Sequence, residues 1–398
     1  MLCRRGIVLW ILLVVIGVAR SALPAERFTG PWNMSRLKTP PEATWGAKTG
    51  LVQEVYYDGE PLGGKPTRVF AYYAQPEGSG PFPAMVLVHG GGGKAFPEWA
   101  TLWAERGYAA LAMDTAGCGP DGKRLPDGGP GQGHDEKFAP FDDDEVGKMW
   151  TYHAVAAVVR GHSLLAARPE VDPQRIGITG ISWGGYLTCI VTGIDDRLRV
   201  SVPVYGCGFL HENSAWYDIL HAMPADQRDR WVKCFDPSQY LPGVSCPILF
   251  MNGTNDFAYP LDSYQKSYRA VPGRVDLRIE VRMPHGHGVG WAPQEIGLYV
   301  DSVLKEGKPL ARLEPMQTEG SRVWADFTAE VPLTEGQLHY TTDTGKWQER
   351  KWETVSARLS DGKVTAELPP ARPIVYYLSV TDERGAMVST AHVEDEAP

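Results

Sequence analysis

The sequence predicts a doubly wound α/β domain on a mostly parallel sheet, followed by a small β-sandwich of the immunoglobulin-like kind. Three observations carry this expectation. Continuous apolar runs, such as residues 84–88 and 108–113, alternate with segments of helical character, the pattern of strands buried on both faces and of their crossover helices. Residues 175–186 pass from a short apolar strand through a glycine-flanked serine into a helix. After Pro309 the helical segments stop, and short strands separated by turns take over.

In chain order, the first stretch reads as a leader. Arg4 and Arg5 precede an apolar run over residues 7–18, and Ala19-Arg20-Ser21 offers small residues for cleavage. The run is shorter than the ~20 residues that span a bilayer. Residues 1–21 are therefore assigned to a signal peptide, with an uncleaved anchor as the alternative, and the expected location is secreted or periplasmic. Residues 22–50, rich in Pro, Trp and Thr, read as a lead-in segment over the domain surface. Residues 52–57 and 68–73 alternate and read as a hairpin. A strand over 84–88, a helix over 99–106 and a strand over 108–113 begin the alternation. Residues 115–145 form a long polar, Gly-rich excursion. A helix over 146–167, a strand over 175–179 and another over 199–204 continue it.

Residues 206–245 break the pattern and read as a lid or pocket wall inserted at a strand's C-terminal end. Strands over 247–252 and 275–283 and helices over 261–270 and 291–305 complete a domain over 51–308. Residues 309–398 hold six strand-like segments, and Asp361-Gly362 and Arg384-Gly385 mark tight turns.

Composition narrows the function classes. A net charge of −9 argues against a nucleic-acid partner. Five cysteines follow the leader, an odd number, so at least one thiol stays unpaired or pairs between chains; a Cys207–Cys234 bridge is one option.

The chemistry sits in four short stretches. Gly180-Ile181-Ser182-Trp183-Gly184 fits G-x-S-x-G, a strained turn that lifts a serine hydroxyl clear of the sheet at a helix N-terminus. A serine nucleophile needs a base, and the base an orienting acid. Asp256, in Gly253-Thr254-Asn255-Asp256, follows a strand and is placed to be the acid. Pro284-His285-Gly286-His287-Gly288 follows the next, and one of its histidines can be the base. His89-Gly90-Gly91-Gly92-Gly93 follows a buried strand and can offer a backbone donor. A phosphate loop is the poorer reading there, because Lys94 lacks a Ser or Thr at the required spacing.

These four motifs, in this order, resemble the α/β-hydrolase family over about residues 50–305. Within it they are similar to the exported acetylxylan-esterase-like, prolyl-oligopeptidase-like and dienelactone-hydrolase-like serine hydrolases. The resemblance implies Ser182 as nucleophile, Asp256 as acid and His287 as base, since that branch carries its histidine as Gly-His-Gly. It implies an oxyanion hole from the backbone N–H groups of Trp183 and Gly91. It also implies an esterase acting on acetyl or similar short acyl esters of carbohydrate, with no cofactor or metal; the partner is then a small-molecule or polysaccharide ester. A peptidase of the prolyl-oligopeptidase kind and a non-catalytic carbohydrate-binding protein are the alternatives.

Trp216, Trp231 and Trp291 are candidates to line the substrate pocket, weighed against the core packing that most large aromatics do. Asp114 is a candidate for positioning substrate or for capping a loop. The acidic run 142–145 reads as a solvated face, with calcium binding as the alternative.

Overall fold

The computed structural model describes residues 27–396, so the expected leader, residues 1–21, lies outside the described residues. Nine strands make the first sheet: β1 (Ala43–Thr49), β2 (Val52–Asp58), β3 (Arg68–Ala74), β4 (Phe82–Val88), β5 (Ala109–Met113), β6 (Val171–Ile181), β7 (Val200–Val204), β8 (Ile248–Gly253) and β9 (Val275–Glu280). Their spatial order is β1-β2-β3-β5-β4-β6-β7-β8-β9. The first three run antiparallel, and β4 to β9 run parallel.

Burial explains the composition of the central strands. Every residue of β5, β7 and β8 is buried, as expected where helices cover both faces. The helices Pro97–Glu105, Trp150–Ala166, Trp183–Ile194, Leu261–Arg269 and Gln294–Leu304 accompany this core. A parallel sheet presents the C-terminal ends of its strands along one edge, and ligands bind there in open α/β sheets. The loops after β4, β6, β8 and β9 all leave from that edge.

Residues 312–395 form a second, antiparallel sheet system. Glu353–Ser360 pairs through its first half with Leu333–Thr341 and through its second half with Lys363–Glu367. One strand thus belongs to two sheets, which folds the system over on itself as a sandwich does. The Asp361-Gly362 turn has positive φ at both residues (53° and 73°), the two-residue hairpin expected at that dipeptide.

Four local expectations are corrected. The lead-in contains strand β1, an edge strand with no buried residue, which alternates only over its first four positions and then stays exposed. The helix expected from residue 146 begins at Trp150, after a 3₁₀ turn over Val146–Lys148. The strand expected to run to residue 283 stops at Glu280, because Arg282 turns the chain with φ 58°. The helix expected over 291–305 begins at Gln294, after Pro293, and Trp291 instead ends a short separate helix, His287–Trp291. Cys207 and Cys234 are both free thiols, so the bridge considered between them is absent.

Candidate active site

The turn between β6 and the Trp183–Ile194 helix supplies the first component. Ser182 holds φ 58° and ψ −117°, a region that L-residues avoid. Two hydrogen bonds lock it there: its N–H donates to Val204 O at 2.9 Å, and its carbonyl accepts from Tyr186 N at 2.9 Å. The neighbouring glycine is obligatory. A Cβ on Gly184 would sit 2.0 Å from Val88 O, because the elbow crosses the end of β4 at backbone contact.

The loop after β8 supplies the second. Asp256 is buried, at 3% exposure. Its Oδ1 accepts from Ala258 N (2.9 Å) and Tyr259 N (2.8 Å), leaving Oδ2 for one further partner. That partner is His285, whose Nδ1 lies 2.6 Å away. The imidazole is held on both faces, stacked on Tyr205 at 4.3 Å and tilted against Phe257 at 4.7 Å. Tyr205 is itself fixed, donating its hydroxyl to Pro284 O at 2.6 Å. Nε2 of His285 makes no hydrogen bond to the described residues, and His285, like His287, lines the cavity that Ser182 lines.

His287, the expected base, meets the glycine loop in this arrangement and not Asp256. Its Nε2 accepts the Gly90 N–H at 2.9 Å, so the ring proton sits on Nδ1. Burial pushes its pKa down to about 4, aided by His89, and keeps the ring neutral. His287 therefore engages the glycine loop, and His285 engages the acid. A Cβ on Gly90 would lie 2.6 Å from Ile181 O and 2.9 Å from the Ser182 Cβ, so this loop lies directly against the elbow. His89 is buried behind it. It accepts from Thr115 N at 2.9 Å, donates to Gly90 O at 2.8 Å, and burial lowers its pKa to about 4. The N–H groups of Trp183 and Gly91, the two expected donors, meet no acceptor among the described residues.

A cavity of about 240 Å³ joins these parts, lined by Gly91, Ser182, Trp183, Trp216, Phe257 and His285 among others. Of the three tryptophans considered for substrate, only Trp216 lines it. Trp231 is 1% exposed, packs on Phe138 at 5.4 Å and donates to Lys137 O at 2.8 Å, pinning the insert to the long loop. Trp291 stacks on Trp99 at 5.0 Å and packs against Phe96. Phe257, absent from the sequence-based candidates, is 61% exposed at the cavity mouth. Its signal was its place directly after the acid, on a loop at the ligand-binding edge.

Asp114 caps a loop: its Oδ1 accepts from Ala116 N (2.8 Å) and Cys118 N (2.7 Å), and burial raises its pKa to about 6. The acidic run is ion-paired, Asp143 with Arg230 at 3.1 Å and Glu145 with Lys148 at 2.7 Å.

Comparison with known proteins identifies the family and the fold. A family model described as acetyl xylan esterase (AXE1) matches residues 42–240, half of the chain, and ends before the loops of Asp256 and His285. The acetyl esterase Axe7A of Xylanibacter ruminicola is 22% identical over 204 residues, covering 48% of this chain and 46% of that protein. A Bacillus subtilis protein named as the uncharacterized peptidase YuxL is 24% identical over 226 residues, covering 53% of this chain and 32% of that protein. The chain thus spans less than half the length of either relative. The solved acetyl xylan esterase from Paenibacillus sp. R4 superposes with a TM-score of 0.54 at 24% identity, covering 68% of this chain and 92% of that one. That likeness shows a shared α/β-hydrolase fold.

Proposed function

The chain belongs to the acetyl xylan esterase family, and so to the serine carboxylic ester hydrolases; from that premise we propose that it is exported and removes acetyl or other short acyl groups from carbohydrate, with Ser182, His285 and Asp256 acting as one triad. The observation that carries the reading is the 2.6 Å Asp256–His285 contact, opening on the cavity that Ser182 lines.

In this reading the Ser182 Oγ attacks the ester carbonyl, and His285 Nε2 takes its proton. Asp256 holds Nδ1–H and steadies the imidazolium that forms. The N–H groups of Trp183 and Gly91 receive the oxyanion, and losing one such donor costs ~3 kcal/mol of transition-state stabilisation. His285 returns the proton to the leaving alkoxide, and water releases the acyl group by the same steps in reverse.

The cavity's size and its Ile181, Trp216 and Ala258 walls support a short acyl group. The exposed Phe257 ring at the mouth supports a sugar as the alcohol portion, since an aromatic face packs on the apolar face of a pyranose. Arg4, Arg5 and the apolar run that follows support export. The YuxL likeness keeps a peptidase as the second reading.

A panel of p-nitrophenyl acyl esters, acetylated xylan and aminoacyl amides tests this. Release of acetate from xylan is expected, and cleavage of amides with esters ignored overturns it. A fluorophosphonate probe should label Ser182, and Ser182→Ala should abolish both labelling and turnover.

A further inference from the structure

Resting on that triad reading, we propose that the C-terminal β-domain is a built-in brace of the active site, with Asn255 as the positioning residue through which it holds the loop of the acid. Asn255 precedes Asp256 and points the opposite way. Its Nδ2 group faces three carbonyl oxygens of the second domain: Arg350 O at 2.7 Å, Gln348 O at 3.1 Å and Trp347 O at 3.3 Å. These carbonyls belong to the 3₁₀ turn Trp347–Glu349 and the residue that ends it. Trp347 O also takes Arg350 N at 3.4 Å, whereas Gln348 O and Arg350 O accept no N–H from within the turn, so the Asn255 amide caps it from across the domain boundary.

Both ends of this tie are fixed. On the far side, Trp347 is buried, packs on His392 at 5.3 Å, and lies 3.7 Å beneath the Arg350 guanidinium. On the near side, Asn255 Oδ1 accepts from the Thr254 hydroxyl at 2.7 Å, and the Thr254 oxygen accepts from Arg282 N at 3.0 Å. Arg282 lies on the His285 loop and carries the positive φ that turns it. One polar chain therefore runs from the histidine loop through the acid loop into the second domain, each bond polarising the next.

The second domain is seated firmly enough to act as an anchor. It lies against β9, the edge strand of the hydrolase sheet, where Ile279 N donates to Ser389 Oγ at 3.0 Å. Beside it, Met387 N donates to Glu295 Oε1 at 2.9 Å, and Gln294 Nε2 donates to Arg384 O at 2.8 Å. Asn255 lies outside the residues lining the catalytic cavity, so its effect on chemistry passes through the placement of Asp256.

The test uses the full chain with Asn255→Ala, Asn255→Asp and Asn255→Gln, assayed on p-nitrophenyl acetate. A displacement of about 1 Å in a catalytic group costs up to ~100-fold. The expected result for Asn255→Ala is a kcat lower by roughly 10- to 100-fold with KM within about twofold. Asn255→Asp is isosteric but turns a carboxylate toward three carbonyl oxygens, and should lose at least as much. Asn255→Gln keeps the amide donor and should recover part of kcat. The split between kcat and KM and the rescue by Asn255→Gln are readouts that a merely structural role would not move.

Parent-like kcat in both Asn255→Ala and Asn255→Asp, whatever happens to Tm, would overturn the brace. A parent chain that hydrolyses no ester and takes no phosphonate at Ser182 would instead overturn the triad reading beneath it.

Discussion

Replacing each histidine of the His-Gly-His-Gly motif in turn separates the roles assigned to them. In His285→Ala, Asp256 loses its 2.6 Å partner and Ser182 the base proposed for it. Loss of the base in a serine triad lowers kcat by ~10⁴- to 10⁶-fold. In His287→Ala, the chain loses a different bond, the 2.9 Å contact that receives the Gly90 N–H. An orphaned buried donor costs ~1–3 kcal/mol. Were all of that cost expressed as displacement of the glycine loop, the rate would fall by no more than ~10²-fold at 1.36 kcal/mol per decade. The two variants should therefore differ by at least about two decades. The assay is kcat/KM on p-nitrophenyl acetate, with the rate of phosphonate labelling of Ser182 as a second readout. A His287→Ala enzyme as inactive as Ser182→Ala, beside a His285→Ala enzyme within tenfold of the parent, would refute the assignment.

Three further outcomes follow from side chains around the cavity and in the core. Phe257→Ala should raise KM for acetylated xylan by ~3- to 10-fold, the worth of one aromatic contact, with a much smaller change on p-nitrophenyl acetate; steady-state kinetics on the two substrates checks it. Lys137 is 4% exposed, and its ammonium lies 4.5 Å over Trp183 and 5.0 Å over Trp150. Burial lowers its pKa to about 8. Lys137→Met, which keeps a flexible apolar stem over both indoles, should raise Tm at pH 7 by about 2 °C or more. In the parent, the unfolded lysine binds the proton more tightly than the folded one from pH 8 to ~10.4, so native stability climbs through that window and the variant's advantage fades. His89 and His339 are both held down at about 4 by burial. Unfolded, each ionises near ~6.5, so the unfolded chain binds more protons between these values and stability must fall as pH drops from 6.5 toward 4. The ceiling is on the order of 3 kcal/mol per histidine, and the loss is read from urea midpoints across that range.

The elbow was legible because its chemistry is local. A serine between glycines after an apolar strand dictates the turn by itself, and the structure gives Ser182 the positive φ that the turn requires. The parallel core was legible for a similar reason: a strand covered on both faces leaves an unbroken apolar run. Which histidine meets the acid was not, because two histidines two residues apart, each followed by glycine, look alike locally. What separates them is remote. Tyr205, from the turn after β7, stacks on one ring, and Asp256, from the loop after β8, accepts its hydrogen bond. Gly90, from the loop after β4, donates to the other. The tryptophans could not be told apart for the same cause. Composition gives Trp216 and Trp231 equal claims, yet the packing of the insert turns one toward the cavity and the other into Phe138. The chain's local code thus specifies which loops carry reactive groups. Which of two adjacent groups reacts is specified by the partners that the sheet order delivers, and in this molecule those partners extend through Asn255 into the second domain.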